Sequence, residues 1–231
     1  MGYTDGRVKV NDRKSRSDVN SFTAALYGGN SWATGSGKVN FLAGAAYTHH
    51  DIDSRREVNV GGNQTLKADY RANTTQLFTE VGYALSVGQS STVEPYVGLA
   101  WLNQKAKGFE EEGGDAALKG SSRTDDVTTF TLGLRGKTSV ELGSSQAQIF
   151  AGLGWRHASG DVDPARKVSF VQGGGAAFTV AGAPIAKNAA IVDLGVEMSV
   201  GRSTALGLGY SGQYGDSNTD HSGQLYLRTR F

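Results

Sequence analysis

The chain has no cysteine, only three prolines and three tryptophans among 231 residues, and a formal net charge of +1. Without cysteine there are no disulfides and no thiolate metal site. The near-neutral charge gives no electrostatic footprint for nucleic acid. No run of about 18 apolar residues is present, so no transmembrane helix is expected. No basic segment followed by an apolar stretch opens the chain, so a signal peptide is not expected within it. What is abundant is glycine, at 33 residues, set within segments whose apolar residues recur at every second position. A mean hydropathy of −0.34 is compatible with a membrane protein of strands, which needs only alternate residues to be apolar.

The closing residues carry the pattern most clearly. Gly223, Leu225, Leu227, Thr229 and Phe231 share one parity, and Gln224, Tyr226, Arg228 and Arg230 the other. In a strand, alternate side chains point to opposite faces. One face is therefore mostly apolar and the other polar and basic, as in a strand between lipid and a polar lumen. Segments 75–87, 128–140, 147–157 and 190–200 repeat the pattern. In the first, Leu77, Val81, Leu85 and Val87 oppose Gln76, Glu80, Gly82 and Ser86. The apolar faces of these cores carry no Asp, Glu, Lys or Arg. A soluble antiparallel sandwich also alternates, but its solvent face would carry bulky charges. Here the polar face is rich in glycine, alanine and serine. The pattern predicts an all-β fold, an antiparallel transmembrane β-barrel, with about ten strands. They begin near Gly2, Ser21, Lys38, Thr74, Val93, Asp126, Gln146, Ala189, Thr204 and Ser222.

The predicted connections alternate in length. Short turns fall near 31–37, 88–91, 142–145 and 201–203; longer polar loops fall at 10–20, 51–73, 105–125 and 158–187, with a shorter one at 215–221. Outer-membrane barrels have short periplasmic turns and long extracellular loops. This orientation puts the C-terminus in the periplasm. It places Trp101, Trp155 and His157 near the outer ends of their strands and Trp32 near a periplasmic turn.

By parity, Glu80, Glu94, Arg135, Arg156, Asp193, Glu197, Arg228 and Arg230 point inward. Buried in a narrow lumen, such charges must pair or stay wet. They are predicted to line a passage or to form a cross-lumen network that stiffens the wall. Gly207, Gly209 and Gly212 spell G-x-G-x-x-G, but the segment goes on alternating through Leu206, Leu208 and Tyr210. A strand without a following helix is not a dinucleotide loop. His49 and His50 point to opposite faces and do not chelate one ion together. Glu110, Glu111, Glu112 and Asp115 form an acidic run, expected to keep a loop solvated rather than to hold a cation. No hydrolase or metalloprotease motif is present, so no catalytic residue, metal or cofactor is expected.

Several stretches carry a family resemblance: S-F-T-A-A-L-Y-G-G at 21–29, V-E-P-Y-V-G-L at 93–99, F-T-L-G-L-R at 130–135, G-L-G-W-R-H at 152–157, A-A-F-T-V-A-G-A-P-I-A at 176–186, and the closing segment from Leu208. Over nearly its whole length the chain resembles the C-terminal translocator domain of type V autotransporters. The resemblance implies a barrel of 12 strands in the bacterial outer membrane, threaded by a helix that connects to an N-terminal passenger exported to the cell surface. It also implies partners: outer-membrane lipid, the barrel-assembly machinery, and the passenger with its linker helix. The machinery reads the last strand, here Gly223, Leu225, Tyr226, Leu227 and Phe231. Residues 1–231 are then one barrel domain, with 1–10 matching a third strand and the first two strands, linker and passenger expected upstream. The competing readings are a stand-alone barrel acting as an adhesin or protease through its loops, and a soluble sandwich.

Overall fold

The computed structural model describes residues 1–10, 14–59, 62–142, 145–172, 175–201, 203–216 and 218–229. Among them are fourteen strands and no helix. In chain order these are β1 (Gly2–Val10), β2 (Ser15–Thr34), β3 (Gly37–Asn59), β4 (Asn63–Val87), β5 (Ser91–Ala106), β6 (Phe109–Glu110) and β7 (Leu118–Gly120). There follow β8 (Arg123–Leu142), β9 (Ser145–Gly160), β10 (Ala165–Phe170), β11 (Phe178–Ala181), β12 (Asn188–Ser199), β13 (Thr204–Gly215) and β14 (Thr219–Thr229).

Ten of these make one curled antiparallel sheet in the order β1-β2-β3-β4-β5-β8-β9-β12-β13-β14. They are the ten that the alternation predicts, each beginning at or before its expected start. Sequential neighbours pair throughout, as meandering hairpins do. Among the described residues β1 and β14 have one partner strand each, so the sheet ends in two edges.

The face parities follow from register. Glu80 stands opposite Leu42 and Gly98, Glu94 opposite Arg135, and Arg135 opposite Gly152. Gly152 in turn stands opposite Asp193, and Asp193 opposite Ser211. Opposed residues share a face, so these form one continuous polar face. The other face carries Leu26, Leu153 and Leu225, exposed by 81%, 65% and 73%, together with Leu99, Leu132, Leu194, Leu208 and Leu227. So much exposed leucine on one continuous surface is the reverse of a water-soluble sheet, and it removes the sandwich reading.

The long polar loops turn out to be structured. The segment 51–73 is not a loop but the top of the β3–β4 hairpin, paired without interruption from Asn59↔Asn63 to Gly37↔Leu85. With 25 residues in β4, this hairpin is about 80 Å long at roughly 3.3 Å per residue. Likewise β2 starts at Ser15, inside the expected 10–20 loop. The segments 105–125 and 158–187 contribute a second sheet in the order β11-β10-β7-β6.

This second sheet folds over the hairpin as a cap. The backbones of Lys67 and Glu112 exchange two hydrogen bonds of 2.9 Å. Beneath lie Leu66 at 0% exposure, Ala68 and Ala72, on the parity that continues the polar face. Arg56 donates two bonds of 2.7 Å to the Glu111 carboxylate and one of 2.8 Å to the Ala116 carbonyl. The Leu118 amide donates to the same carboxylate at 2.8 Å. Glu111, expected to be solvated within its acidic run, is instead 8% exposed. Its neighbours in sequence gave no sign of this, because the partner arginine comes from 55 residues away. Arg166 lies over two rings, 4.8 Å from the Phe109 centroid and 5.5 Å from that of Tyr70.

Candidate functional site on the polar face of the sheet

On the polar face, long side chains reach over one strand to the next. Glu94 on β5 accepts hydrogen bonds from Asn40 Nδ2 at 3.0 Å and Arg135 Nη2 at 2.9 Å. Arg135 on β8 also reaches Glu80 on β4 at 2.7 Å. Its guanidinium carbon lies 4.8 Å from the Tyr96 ring centroid. One arginine thus sits between two carboxylates and against an aromatic face, which fixes its fork and gives each charge a counter-charge. Gly82 makes this possible. It lies between Asn40 and Tyr96 in register, and a Cβ there would stand 2.1 Å from Glu94 Oε1.

A second cluster repeats the device near the chain's end. Glu197 on β12 accepts a bond from Tyr226 Oη on β14 at 3.1 Å and one from Arg228. Tyr226 crosses β13 over Gly207, where a Cβ would lie 2.1 Å from the ring. Between the clusters, Arg156 donates to Gln213 at 2.6 Å and Ser211 donates to Asp193 at 2.7 Å. A cavity of about 520 Å³ opens among Glu94, Tyr96, Arg135, Lys137, Phe150 and Asp193.

Of the residues predicted to point inward, Glu80, Glu94, Arg135, Arg156, Asp193, Glu197 and Arg228 share the polar face; Arg230 lies outside the described residues. The structure joins Glu80, Glu94 and Arg135 in one network and Glu197 with Arg228 in another. It leaves Arg156 and Asp193 on neutral partners. Parity could have added Asn40, Tyr96, Ser211 and Gln213, which complete the networks; polar residues without charge drew no notice. Of the expected assembly residues, Gly223, Leu225, Tyr226 and Leu227 lie on β14, an edge of the sheet, and Phe231 lies outside the described residues. Leu225 and Leu227 project from the apolar face, while Tyr226 belongs to the polar network.

The other motifs take ordinary structural places. Gly207, Gly209 and Gly212 lie within β13, with no helix after them. His50 Nδ1 shares a 2.8 Å hydrogen bond with Ser21 Oγ and its Nε2 a 3.0 Å bond with Thr74 Oγ1. His49, on the opposite face, meets Asn73 at 2.7 Å.

A long-stranded curled sheet with an uncharged leucine-rich face and a hydrogen-bonded charged face is the wall of an outer-membrane β-barrel. The chain belongs to the autotransporter β-domain family, whose model matches residues 1–211. Two curated proteins of Serratia marcescens, each named an extracellular serine protease, are similar to it. One is 34% identical over 235 residues, covering 100% of this chain and 22% of the relative. The other is 36% identical over 196 residues, covering 84% of the chain and 19% of the relative. The chain therefore spans about a fifth of the length of these relatives. Among solved structures, the translocator domain of the autotransporter NalP from Neisseria meningitidis superposes with a TM-score of 0.69 at 17% identity, over 94% of this chain and 69% of that one. The β-domain of the Bordetella autotransporter BrkA gives 0.53 at 16% identity, over 99% and 96%. These two share the fold. The chain is thus an outer-membrane barrel unit of the autotransporter family.

Proposed function

We propose that the polar face is the wall of the export route and that Glu80, Glu94, Arg135, Arg156, Asp193, Glu197, Arg228 and Arg230 line it. The observation that carries this is the opposed solvent preference of the two faces: exposed leucine outside, a charged and hydrogen-bonded network inside. The module breaks no bonds itself. The apolar face supplies insertion free energy from lipid, and the polar face offers a wet path to a chain N-terminal to it. The short turns face the periplasm, with the C-terminus, and the tall β3–β4 hairpin and its cap stand outside. The barrel-assembly machinery reads Gly223, Leu225, Tyr226 and Leu227 on the exposed edge β14, together with Phe231. The edges of β1 and β14 need partners in lipid, where unpaired backbone groups are costly. Further strands are those partners, while the linker helix and the passenger are partners of the lumen. From the names of the relatives, the passenger is an extracellular serine protease. Surface loops acting alone as an adhesin or protease gain no support from a match that falls on the β-domain.

The test is a reporter epitope joined ahead of Met1 through the natural upstream sequence. Protease added to intact cells should remove the epitope, and heat should convert a compact detergent-extracted form to a slower one on a gel. A compact, heat-modifiable form whose epitope stays protected in intact cells would sink the export reading.

A further inference from the structure

The top of the β1–β4 wall carries an arrangement that strand pairing alone disfavours. Lys9 stands opposite Arg16, Arg16 opposite Arg55, and Arg55 opposite Lys67. Four cations on four adjacent strands thus share one register row and one face, and all four are exposed. Like charges directly opposite each other destabilise a sheet. Arg16 turns aside to Asp18 at 2.6 Å; among the described residues, Lys9, Arg55 and Lys67 form no ion pair. The row is bordered below by Arg7, Asp18, Asp53 and Asp69, again one register row. Above it stands Glu57 opposite Thr65, with exposed Lys14 on its other side, whose carbonyl accepts from the Glu57 amide at 3.3 Å.

The other face of the hairpin is covered. Leu66, Ala68 and Arg56 lie beneath the cap, so the basic row looks away from it, to the surroundings of the barrel. It stands six positions beyond the exposed Tyr3 and Phe22, about 20 Å along the strand and roughly 15 Å above the apolar band once strand tilt is allowed for. That is beyond the level of lipid phosphates.

We infer that the row Lys9–Arg16–Arg55–Lys67 is a binding site for a linear acidic glycan of the cell's own surface. The row is about 14 Å long with a basic residue on each strand, roughly every 4.8 Å, close to the length of a sugar unit; Arg16 must leave Asp18 to join it. Asp18, Asp53 and Asp69 line its lower side, and Lys14 and Glu57 stand above it. A glycan chain lying across the strands meets only the cations, whereas a membrane surface or a folded acidic protein would set its charge against the acidic row as well. No aromatic side chain shares this face near the row, so the bases of a nucleic acid would have nothing to stack on. The site holds the outer hairpin to the glycan layer and opposes tilting of the wall.

This rests on the extracellular placement of the hairpin in the proposed orientation, and the experiment separates the two. The purified full chain in detergent is titrated with polygalacturonate, with neutral dextran, phosphatidylglycerol vesicles and duplex DNA as comparisons. Polygalacturonate should bind best, with affinity falling as salt rises. Arg55→Gln/Lys67→Gln should weaken it at least tenfold while leaving the unfolding temperature unchanged or higher, because repulsion within the row is relieved. Lys119→Gln/Lys167→Gln on the cap should bind as the parent does. Unchanged binding by the first variant, or tighter binding of vesicles or DNA than of polygalacturonate, would overturn the site. Separately, Asn63→Cys at the hairpin tip should take a membrane-impermeant maleimide on intact cells. Absence of label would overturn the orientation and the cell-surface partner while the purified-protein titration still reads the site.

Discussion

The lower and upper halves of the β3–β4 hairpin use the same alternation in opposite senses. In the lower half the apolar parity faces outward, with Tyr47, Leu77 and Val81 exposed, and the polar parity holds Asn40 and Glu80. In the upper half the outward parity is Asp51, Asp53, Arg55 and Glu57, while Leu66, Ala68 and Ala72 of the inner parity are buried by the cap. The backbone runs through unbroken; only the solvent changes. One two-stranded ribbon is thus a lipid-facing wall below and a water-facing sheet above. The level at which the outward parity turns from apolar to charged marks a boundary of the membrane, the outer one in the orientation proposed above.

The comparison breaks most sharply if charge is put on the lipid side. Leu153→Arg should cost about 2–4 kcal/mol near the bilayer centre and deplete the heat-modifiable form in membranes. Arginine at Asn59, also exposed but at the top of the hairpin, should leave it unchanged. An equal loss at both sites would show that the apolar face does not meet lipid. Next in size is the tie between cap and hairpin. Arg56→Ala strands the Glu111 carboxylate and should cost roughly 2–3 kcal/mol, less than a fully buried pair because Arg56 is partly exposed. The cap should become sensitive to protease while the wall stays heat-modifiable; Arg56→Met with Glu111→Leu should restore resistance. Smaller still, Gly207→Val pushes Tyr226 off its path to Glu197 and should cost about 1–3 kcal/mol by overpacking. Its reading is a lower unfolding temperature that Tyr226→Ala partly rescues.

The smallest effect is a pH dependence confined to the upper half. Hydrogen bonds from Arg16 and Arg7 hold the Asp18 carboxyl below its usual 3.8. Its contribution is fully present above that value and is lost as pH falls below it, through the lowered value. Asp53 moves the other way. Burial, then its hydrogen bond and charge repulsion with Asp69, raise it above 3.8, so its share of stability is gained as pH falls through the raised value. Limited proteolysis of the upper hairpin as pH is lowered should show Asp53→Asn protecting the native protein near neutrality. Asp18→Asn should remove the loss at the acid end. Identical profiles for both variants would mean that neither group is linked to folding there.

The wall was legible because lipid enforces strict alternation. Residues 75–87 and 190–200 cannot place a charge outward without penalty, so parity alone sorts Glu80, Asp193 and Glu197 to one side. The upper hairpin was not legible. Ile52, Ser54, Arg56 and Val58 alternate with Asp51, Asp53, Arg55 and Glu57, but the contrast between the two sets is slight, and the segment reads as a polar loop. Only the cap explains why Arg56 belongs with the inner set. The pairing of Arg135 with both Glu80 and Glu94, and the row from Lys9 to Lys67, depend on register. Register is fixed by hairpin turns that a face pattern does not locate.

Gly82 and Gly207 have a further consequence for the shape of the wall. A carboxylate or phenol that lies flat across a glycine runs along the sheet instead of standing up from it. The charged layer is then scarcely thicker than the backbone that bears it. Such a surface can be strongly polar and still leave its bore wide, with its charges held side-on by neighbours rather than offered end-on to whatever slides past. A moving polypeptide would find a hydrated, low-friction bearing with few places to stick.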